Sequence, residues 1–442
     1  MSKLGYGVTM KKVFNKAVHI YKNQGFDVLT KKAVRFGKTK VRENTRGLDG
    51  LFRRLDKSSR LTRDEYSFVS NKIFSVTDQD IELSKQTNDQ QLKEIKTANW
   101  FIPNFDHLAF GGIQTIFRFI QKFSKEGVHN RIIIYDKPSF DVEKLQKQIA
   151  TQFPQLHNYE IVIFDASLED VNDLPACDIA ICTFWVSAYL LLKFNKTKRK
   201  YYFIQDYEPF FYVAGSSFAL AESTYRFGFR SIVNTPGLLA AINQRHGTEG
   251  ISFNPSVNRE VYYPDPNKSN KKIRIFFYAR PNNPRNAFSL GIATIHHLLE
   301  KYDDKIEIIA AGAKWNESMY GLEGRITNLG LIPSIQEVAA LYRSCDIGFA
   351  YMMNKHPSYQ MLEYAASGVA TVMNYNEDHL WLYKDGENCL LSEPSPAAMA
   401  EKISLLIDDK KLREKIVKGA NKTLNHTWKQ QIDMIWNDIL KT

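Results

Sequence analysis

From about residue 97 onward, short apolar runs alternate with longer stretches in which apolar residues recur at helical spacing. Strands that alternate with helices are typical of βαβ units, which form parallel sheets covered by helices on both faces. The predicted strands fall into two groups, 100–102, 131–135, 161–164, 179–183, 201–204 and 231–234, then 273–279, 306–311, 326–329, 347–350, 369–373 and 390–391. The sequence therefore predicts an α/β protein with two doubly wound, Rossmann-like domains facing a cleft.

A segment rich in Pro, Asn and Ser, residues 254–270, separates the two groups of strands, and we predict a linker there. With 442 residues, of which 44 % are hydrophobic, the chain can bury two cores. We predict a first domain over residues 96–258, a second over 259–425 and an amphipathic closing helix within 426–442. Residues 1–95 are predicted to form a basic helical extension.

The positive charge of the chain is concentrated in its first 65 residues. They contain 17 of the 59 Lys and Arg residues and 6 of the 48 Asp and Glu residues, and so account for the whole net charge of +11. Lys11, Lys12 and Lys16 flank apolar residues at helical spacing. Two interpretations stay open: a basic helical segment that packs on the main body, or one that binds an anionic membrane surface. Few aromatic residues and no recognition motif argue against a nucleic-acid partner.

Neither a membrane span nor a disulfide framework is predicted. The longest apolar run, 179–192, is interrupted by Thr183 and Ser187 and is too short to cross a bilayer. The N-terminus lacks the apolar core of a secretory signal. The four cysteines have no Cys-x-x-Cys spacing, which argues against a zinc site. We expect a cytoplasmic protein, peripheral at the inner face of the plasma membrane if residues 1–65 bind lipid.

Two arginines follow the predicted strand 273–279. Arg280 and Arg285 lie in a loop with two prolines, and Asn286 is a plausible N-cap for the helix that follows. The positive end of that helix and two permanently charged, bidentate donors would suit a diphosphate. The bland alternative is a pair of surface arginines.

A carboxylate further along the chain complements these arginines. Glu363 lies in a helical segment that begins after the polar loop 356–358, and a carboxylate can accept paired hydrogen bonds from a sugar diol. Its alternative role is a glutamate favoured by the helix dipole in a first turn. Together, the two features describe a nucleoside-diphosphate pocket at the carboxyl ends of parallel strands.

The first group of strands carries two further motifs at strand ends. Gly111-Gly112 precedes a predicted helix from Ile113, where glycines let backbone amides approach a ligand or simply permit a tight turn. The segment Gln205-Asp206-Tyr207-Glu208-Pro209 follows the strand 201–204, so its carboxylates can bind sugar hydroxyls or cap the next segment. The aromatic residues nearby suit either a wall for a sugar ring or a core: Tyr207, Phe210, Phe211 and Tyr212.

These motifs, in this order, resemble the glycosyltransferase family 4 enzymes of GT-B fold, over roughly residues 97–440. Glu363, in Leu-Glu-Tyr-Ala-Ala-Ser-Gly, matches the last glutamate of the family motif, whereas the first glutamate falls on Lys355. The version His-Pro-Ser-Tyr-x-x-Leu-Glu, with Thr115-Ile116-Phe117-Arg118 after the glycine pair, is similar to a branch of bacterial rhamnosyltransferases that build cell-surface polysaccharides.

The resemblance implies a metal-independent, retaining sugar transfer from a nucleotide sugar, most specifically dTDP-L-rhamnose, to a lipid-linked saccharide acceptor. It implies a closing helix that crosses back onto the first domain. The implied donor and phosphate residues are Gly111, Gly112, Arg280, Arg285, Ser358, Tyr359 and Glu363, with Glu363 on the ribose. The implied catalytic residue is Asp206, with Gln205 and Glu208 on the acceptor sugar.

Several alternatives stay open. Because Lys355 breaks the common motif, a non-catalytic nucleotide- or glycan-binding subunit that recruits a partner glycosyltransferase is the second hypothesis. A membrane-associated scaffold that depends on residues 1–65 is the third, and a homodimer is also open. We interpret Arg118 and His356 as structural, and Asp78-Gln79-Asp80 as an incidental resemblance to a metal motif at a helix start.

Overall fold

The computed structural model describes residues 72–88, 92, 94–105, 107–108, 111–137, 139–166, 169–332 and 334–441. Two parallel sheets organise these residues. The first contains β1 (Thr97–Ile102), β2 (His129–Ile134), β3 (Tyr159–Ile163), β4 (Cys177–Cys182), β5 (Thr197–Ile204), β6 (Arg230–Asn234) and β7 (Gly250–Phe253). The second contains β8 (Ile273–Ala279), β9 (Ile306–Gly312), β10 (Thr327–Asn328), β11 (Ile347–Ala350), β12 (Ala370–Asn374) and β13 (Leu390–Ser392).

Both sheets have the strand order of a doubly wound fold. The first runs β3-β2-β1-β4-β5-β6-β7 and the second runs β10-β9-β8-β11-β12-β13. The order reverses between β1 and β4 and between β8 and β11, and all these strands pair in parallel. Ligands of such sheets bind beyond the carboxyl ends of the strands at this switch point. The loops after β1 and β4 in the first sheet, and after β8 and β11 in the second, therefore flank the expected ligand site, and the loop after β5 lies at the same edge, next to β4.

Helices connect and cover the strands. In chain order they are α1 (Asp78–Asn88), α2 (Gly111–Lys125), α3 (Val142–Gln152), α4 (Trp185–Lys193), α5 (Ser216–Ser223), α6 (Pro236–His246), α7 (Phe288–Tyr302), α8 (Ile335–Ser344), α9 (Tyr359–Ala366), α10 (Pro396–Asp408), α11 (Lys410–Thr423) and α12 (Trp428–Lys441). The second sheet is covered on both faces, because successive side chains of β8 point to opposite faces and both are apolar. Phe277 packs in the core beneath α7, whereas Phe276 packs on the opposite face against Tyr342 and Tyr364.

The closing helix α12 completes the core of the first sheet. Its apolar side chains at helical spacing, Ile432, Ile435, Trp436 and Ile439, are buried among residues of β1, β2 and α2. The Trp436 ring meets the Phe123 ring edge-on, with 4.8 Å between the centroids. The chain therefore passes from the first sheet to the second and returns.

Most strands lie within two or three residues of their predicted positions, but β7 was not predicted. Its sequence, Gly-Ile-Ser-Phe, is short and begins with a glycine, so it carries little strand signal. The predicted strand 326–329 is reduced to the two residues of β10.

Within the predicted extension 1–95, residues 1–71 lie outside the described residues, and α1 packs on the first sheet. The Asn88 side chain accepts a hydrogen bond from the Lys200 amide and donates one to the Gly228 carbonyl, both at 2.7 Å. Asp80 accepts hydrogen bonds from Thr77 and pairs with Lys193 at 2.6 Å. The Asp80 carboxylate therefore lies at the start of a helix and forms an ion pair. This agrees with the interpretation that Asp78-Gln79-Asp80 resembles a metal motif only incidentally. None of the helices in the described part of the chain is long and apolar enough to span a bilayer.

Candidate active site

The central feature of the cleft is a contact between loops of the two domains, made by Asp206. This residue follows β5, and its Oδ2 accepts hydrogen bonds from Arg285 Nη1 at 2.7 Å and from Asn354 Nδ2 at 2.5 Å. Arg285 lies in the loop after β8 and Asn354 lies in the loop after β11, so one carboxylate of the first domain contacts two loops of the second domain. Burial raises the pKa of Asp206 to about 6, although the positive charge of Arg285 opposes the rise. The carboxylate predicted to bind a sugar and the arginine predicted to bind phosphate thus lie side by side.

The Arg285 loop differs from its prediction in one respect. Asn286 does not cap the following helix: it ends the short 3-10 turn Pro284–Asn286, and α7 begins at Phe288. Ala287, with φ of 42°, occupies the cap position without a side-chain hydrogen bond. The extra turn holds Arg285 over the Phe211 ring, with 4.3 Å from its guanidinium carbon to the ring centre.

Arg280 is held much more loosely than Arg285. Its side chain is exposed, and Nη1 donates a hydrogen bond to the Tyr278 hydroxyl at 3.3 Å. The guanidinium carbon lies 5.9 Å from the centre of that ring. Arg280 is therefore available to an anion at the carboxyl end of β8, with little structural role of its own.

The glycine pair begins α2 and faces the second domain. A Cβ at Gly111 would lie 3.7 Å from Tyr359 Cδ2, and one at Gly112 would lie 3.4 Å from the Gln205 amide nitrogen. Gln205 Nε2 donates to the Gly112 carbonyl at 3.0 Å. Its Oε1 is buried without a hydrogen-bond partner among the described residues. Both distances are ordinary van der Waals contacts, so the neighbouring loops alone do not require glycine here, and Gln205 keeps one acceptor free.

Tyr359 joins the second domain to the first. Its hydroxyl accepts a hydrogen bond from Asn234 Nδ2 at 2.8 Å and lies 3.4 Å from Thr115 Oγ1. Its ring stacks on Trp428 of the closing helix, with 6.1 Å between the centroids. Burial raises the pKa of Tyr359 to about 12, so the hydroxyl stays neutral and acts as a hydrogen-bonding group.

Ser358 and His356 shape the start of α9. Ser358 has φ of 64°, a conformation uncommon for residues other than glycine, and its amide donates to His356 Nδ1 at 3.0 Å. His356 is buried, and burial lowers its pKa to about 3. The neutral imidazole accepts a hydrogen bond from the Ser358 amide, which supports the interpretation of His356 as structural.

Glu363 lies one helical turn after Tyr359, on the same face of α9. Both residues line a cavity of about 620 Å³, together with Gly111 and Arg118 of α2. Burial raises the pKa of Glu363 to about 7, while a hydrogen bond from Tyr262 opposes the rise. The carboxylate predicted to hold a ribose therefore faces a space of suitable size for a nucleoside.

The prediction that Glu208 binds the acceptor sugar does not agree with its position. The residue is only 3 % exposed, and its Oε2 accepts hydrogen bonds from the Trp185 amide at 2.6 Å and the Tyr202 hydroxyl at 2.8 Å. The 3-10 turn Glu208–Phe211 directs the side chain inward. Its carboxylate therefore braces the start of α4, and burial raises its pKa to about 8.

Substituting Glu208→Gln is expected to flatten the pH dependence of stability. A carboxyl whose folded pKa lies above its unfolded value of roughly 4.3 holds its proton in the folded state, so stability falls as pH rises through this interval. For Glu208 that interval extends to about pH 8. Denaturant unfolding from pH 5 to 8 would show a smaller decline in the variant than in the wild type. The exposed Glu323→Gln is the matched control, and an equal decline in all three proteins would contradict the assignment.

Lys355 occupies the place of the missing family glutamate. Its Nζ pairs with Asp378 Oδ2 at 2.7 Å and lies 5.7 Å from the centre of the Tyr207 ring. The charge of Lys355 is thus balanced within the second domain.

The sequence prediction missed two site residues, Asn234 and Asn354. It also missed the role of Arg118, which lines the cavity. Asn234 carried a signal because it ends β6 on the cleft side, and Arg118 carried one because it lies in the motif that follows the glycine pair.

The sequence also matches two models of a known protein family. Residues 98–235 match the family model described as "WsaF, N-terminal domain", and residues 273–404 match "WsaF, C-terminal domain". The chain belongs to the WsaF family. This WsaF-family chain is also 39 % identical over 350 residues to the O-antigen biosynthesis protein RfbC of Myxococcus xanthus. The match covers 79 % of the chain and 27 % of RfbC, so the chain spans about a quarter of that relative.

Solved structures confirm the predicted GT-B glycosyltransferase fold. TarM from S. aureus, in complex with Fondaparinux, alpha-GlcNAc-glycerol and UDP, has a TM-score of 0.64 at 11 % identity, covering 79 % of this chain and 100 % of TarM. HepE from Anabaena, in complex with UDP, has a TM-score of 0.59 at 14 % identity, with coverage of 78 % and 99 %. Sucrose-phosphate synthase from Thermosynechococcus elongatus has a TM-score of 0.61 at 12 % identity, with coverage of 78 % and 98 %. At these identities the likeness concerns the fold of this WsaF-family protein.

Proposed function

We propose that the protein transfers a sugar from a nucleoside-diphosphate donor to a saccharide hydroxyl during the synthesis of a bacterial surface polysaccharide. The observation that carries this proposal is the contact of Asp206 with Arg285 across the cleft. It joins a group suited to a sugar with a group suited to a diphosphate at the carboxyl ends of β5 and β8. The relative RfbC, named for O-antigen biosynthesis, supports the class of product.

The donor is proposed to lie across the cleft. Glu363 accepts a hydrogen bond from the sugar of the nucleoside, which in a deoxythymidine donor offers only its 3'-hydroxyl, and the glycine pair approaches the phosphates. Arg280 and Arg285 neutralise the charge that develops on the leaving diphosphate. Two guanidinium groups that are always charged perform the role a metal ion has in other transferases, so we propose a metal-independent reaction. UDP bound to TarM and HepE supports a nucleoside diphosphate as the donor class.

The sugar is proposed to meet Asp206, Gln205 and the Ser358-Tyr359 loop. We propose L-rhamnose from dTDP-L-rhamnose, on the resemblance of the His-Pro-Ser-Tyr segment to rhamnosyltransferases. The bond from the anomeric carbon to the diphosphate oxygen breaks, and a bond to the acceptor oxygen forms on the same face of the sugar. The leaving phosphate takes the proton of the acceptor hydroxyl, and Asp206 binds the sugar hydroxyls that orient the ring.

The test is transfer by the purified protein from a panel of nucleotide sugars that includes dTDP-L-rhamnose, with a rhamnose-terminated acceptor, with and without EDTA. Turnover of dTDP-L-rhamnose that survives the chelator is the expected result. Turnover of a UDP- or GDP-sugar alone would overturn the rhamnosyl assignment and keep the reaction class. Absence of both turnover and nucleotide binding would favour the recruiting subunit.

Arg280→Ala separates an enzyme from a recruiting subunit. Because Arg280 is exposed and its side chain donates a hydrogen bond to Tyr278 but to no other described residue, we expect the free energy of unfolding to change by less than about 0.5 kcal/mol. Transfer is expected to fall by about 10²-fold, because a donor to the leaving diphosphate is lost. Transfer kinetics and thermal unfolding measure the two effects, with Arg325→Ala, another exposed arginine, as the control. Unchanged transfer in a folded Arg280→Ala variant would contradict the proposed role.

A further inference from the structure

An arginine that we first interpreted as structural faces the same cavity as Glu363. Arg118 lies in the third turn of α2, and its guanidinium carbon lies 5.1 Å from the centre of the Trp428 ring. Arg131 and Arg285 each pair with a carboxylate, at 2.6 and 2.7 Å. Arg118 has no such ion pair with any residue that the structure describes, and its polar environment is the cavity.

A half-buried cation without a counter-ion is unfavourable for the folded protein alone. Burial lowers the pKa of Arg118, yet an arginine stays charged at any physiological pH. Removing a charge from water is costly unless an opposite charge or hydrogen-bond acceptors replace the water. The cavity therefore favours a ligand that brings negative charge to this wall.

The position of Arg118 indicates which part of a nucleotide it meets. Side chains on a helix lean toward its N-terminus, so the guanidinium points back along α2 toward the turn that begins at Gly111. It lines the same cavity as Tyr359, and Tyr359 lies one turn before Glu363 on α9. Arg118 thus lies at the Glu363 end of the cleft, whereas Arg285 lies beside Asp206 at the sugar end.

We propose that Arg118 binds the phosphoryl group next to the ribose of the nucleotide donor, while Trp428 holds the plane of the guanidinium. This inference rests on the proposed function, since it assigns a further binding residue to the same donor site. A guanidinium fork binds two phosphate oxygens at once, and its flat face stacks on an indole ring. Arg280 and Arg285 then serve the phosphoryl group attached to the sugar. The closing helix α12 contributes to donor binding through Trp428.

Calorimetric titration with a nucleoside, its 5'-monophosphate and its 5'-diphosphate tests the assignment, in both the thymidine and the uridine series. Arg118→Gln is expected to weaken the monophosphate and the diphosphate to a similar extent, by about 10- to 100-fold, the effect of one charged hydrogen-bonded contact. The nucleoside is expected to bind both proteins alike. Arg118→Lys, which keeps the charge and loses the fork, is expected to bind phosphates more tightly than Arg118→Gln. Arg325→Gln is the control.

Each other outcome has a distinct meaning. Equal weakening of the nucleoside would overturn the phosphoryl contact in favour of a structural or base-binding role. Weakening of the diphosphate alone would overturn the choice of phosphoryl group, and unchanged affinities would overturn the inference entirely. Failure of the wild type to bind any of these nucleotides would instead reject the proposed function. Thermal unfolding of each variant establishes that the proteins compared are folded.

Discussion

Arg285→Ala is expected to abolish most of the transfer activity and also to destabilise the protein. Loss of a charged donor to the leaving diphosphate lowers the transfer rate by about 10²- to 10³-fold. The substitution also leaves Asp206 beside Asn354 without its 2.7 Å ion pair, in a site where burial already raises the pKa of Asp206 to about 6. Because protonation of Asp206 relieves part of this cost, we expect a loss of about 1–3 kcal/mol in the free energy of unfolding. Transfer kinetics and denaturant unfolding near pH 7 measure the two effects.

The double variant Asp206→Asn with Arg285→Ala separates the two roles of the ion pair. Removal of both charges is expected to restore part of the stability, so the double variant loses less than the sum of the single losses. Transfer is expected to stay low, because neither the arginine nor the carboxylate is present to bind the donor. Recovery of transfer along with stability would show that the pair only braces the domains and would contradict the roles proposed for both residues.

Trp436→Ala is expected to destabilise the protein by about 3–5 kcal/mol, the usual cost of removing a buried aromatic side chain. Trp436 is 7 % exposed and packs against Phe123, at the junction of α12 with α2. Its loss leaves a cavity between the closing helix and the first sheet. Because that helix also carries Trp428, donor affinity is expected to fall in the fraction that remains folded. Chemical unfolding measures the effect on stability.

Met434→Ala provides the matched control for Trp436→Ala. Met434 lies two residues earlier on the same helix and is 40 % exposed, so its removal is expected to change stability by less than about 0.5 kcal/mol. Equal losses in the two variants would mean that α12 does not dock through the face described. A large loss for Trp436→Ala alone supports the core position of that residue.

The strands and their ends could be predicted from the sequence, because buried apolar runs and helical spacing are patterns of neighbouring residues. This is why β8 and β11 agree with their predicted bounds, and why Arg285 and Asp206 were recognised as residues at strand ends. Parallel strands bring their carboxyl ends to one edge of a sheet, so the loops that share an edge within each sheet follow from topology. The contact of Asp206 with Arg285 does not, since it depends on how the domains face each other.

The errors concern side-chain direction within short turns. Glu208 follows a strand as Asp206 does, and nothing in the local sequence indicates that a 3-10 turn directs it inward to Trp185. In the same way, the turn at Pro284–Asn286 moved the helix start past Asn286. Arg118 was undervalued because its environment is built by Trp428, more than 300 residues away in the chain. Such pairings across the fold leave no local pattern.

The return of the chain to the first sheet determines the order in which the two domains can be completed during synthesis. Ile435 and Trp436 belong to the first core, but the ribosome adds them after every strand of the second sheet. Domains that are continuous in sequence tend to fold in the order of translation. Here the face of the first core that includes Phe123 stays exposed until α12 has been synthesised and can pack on it. The domain whose strands are made first is therefore the last to close.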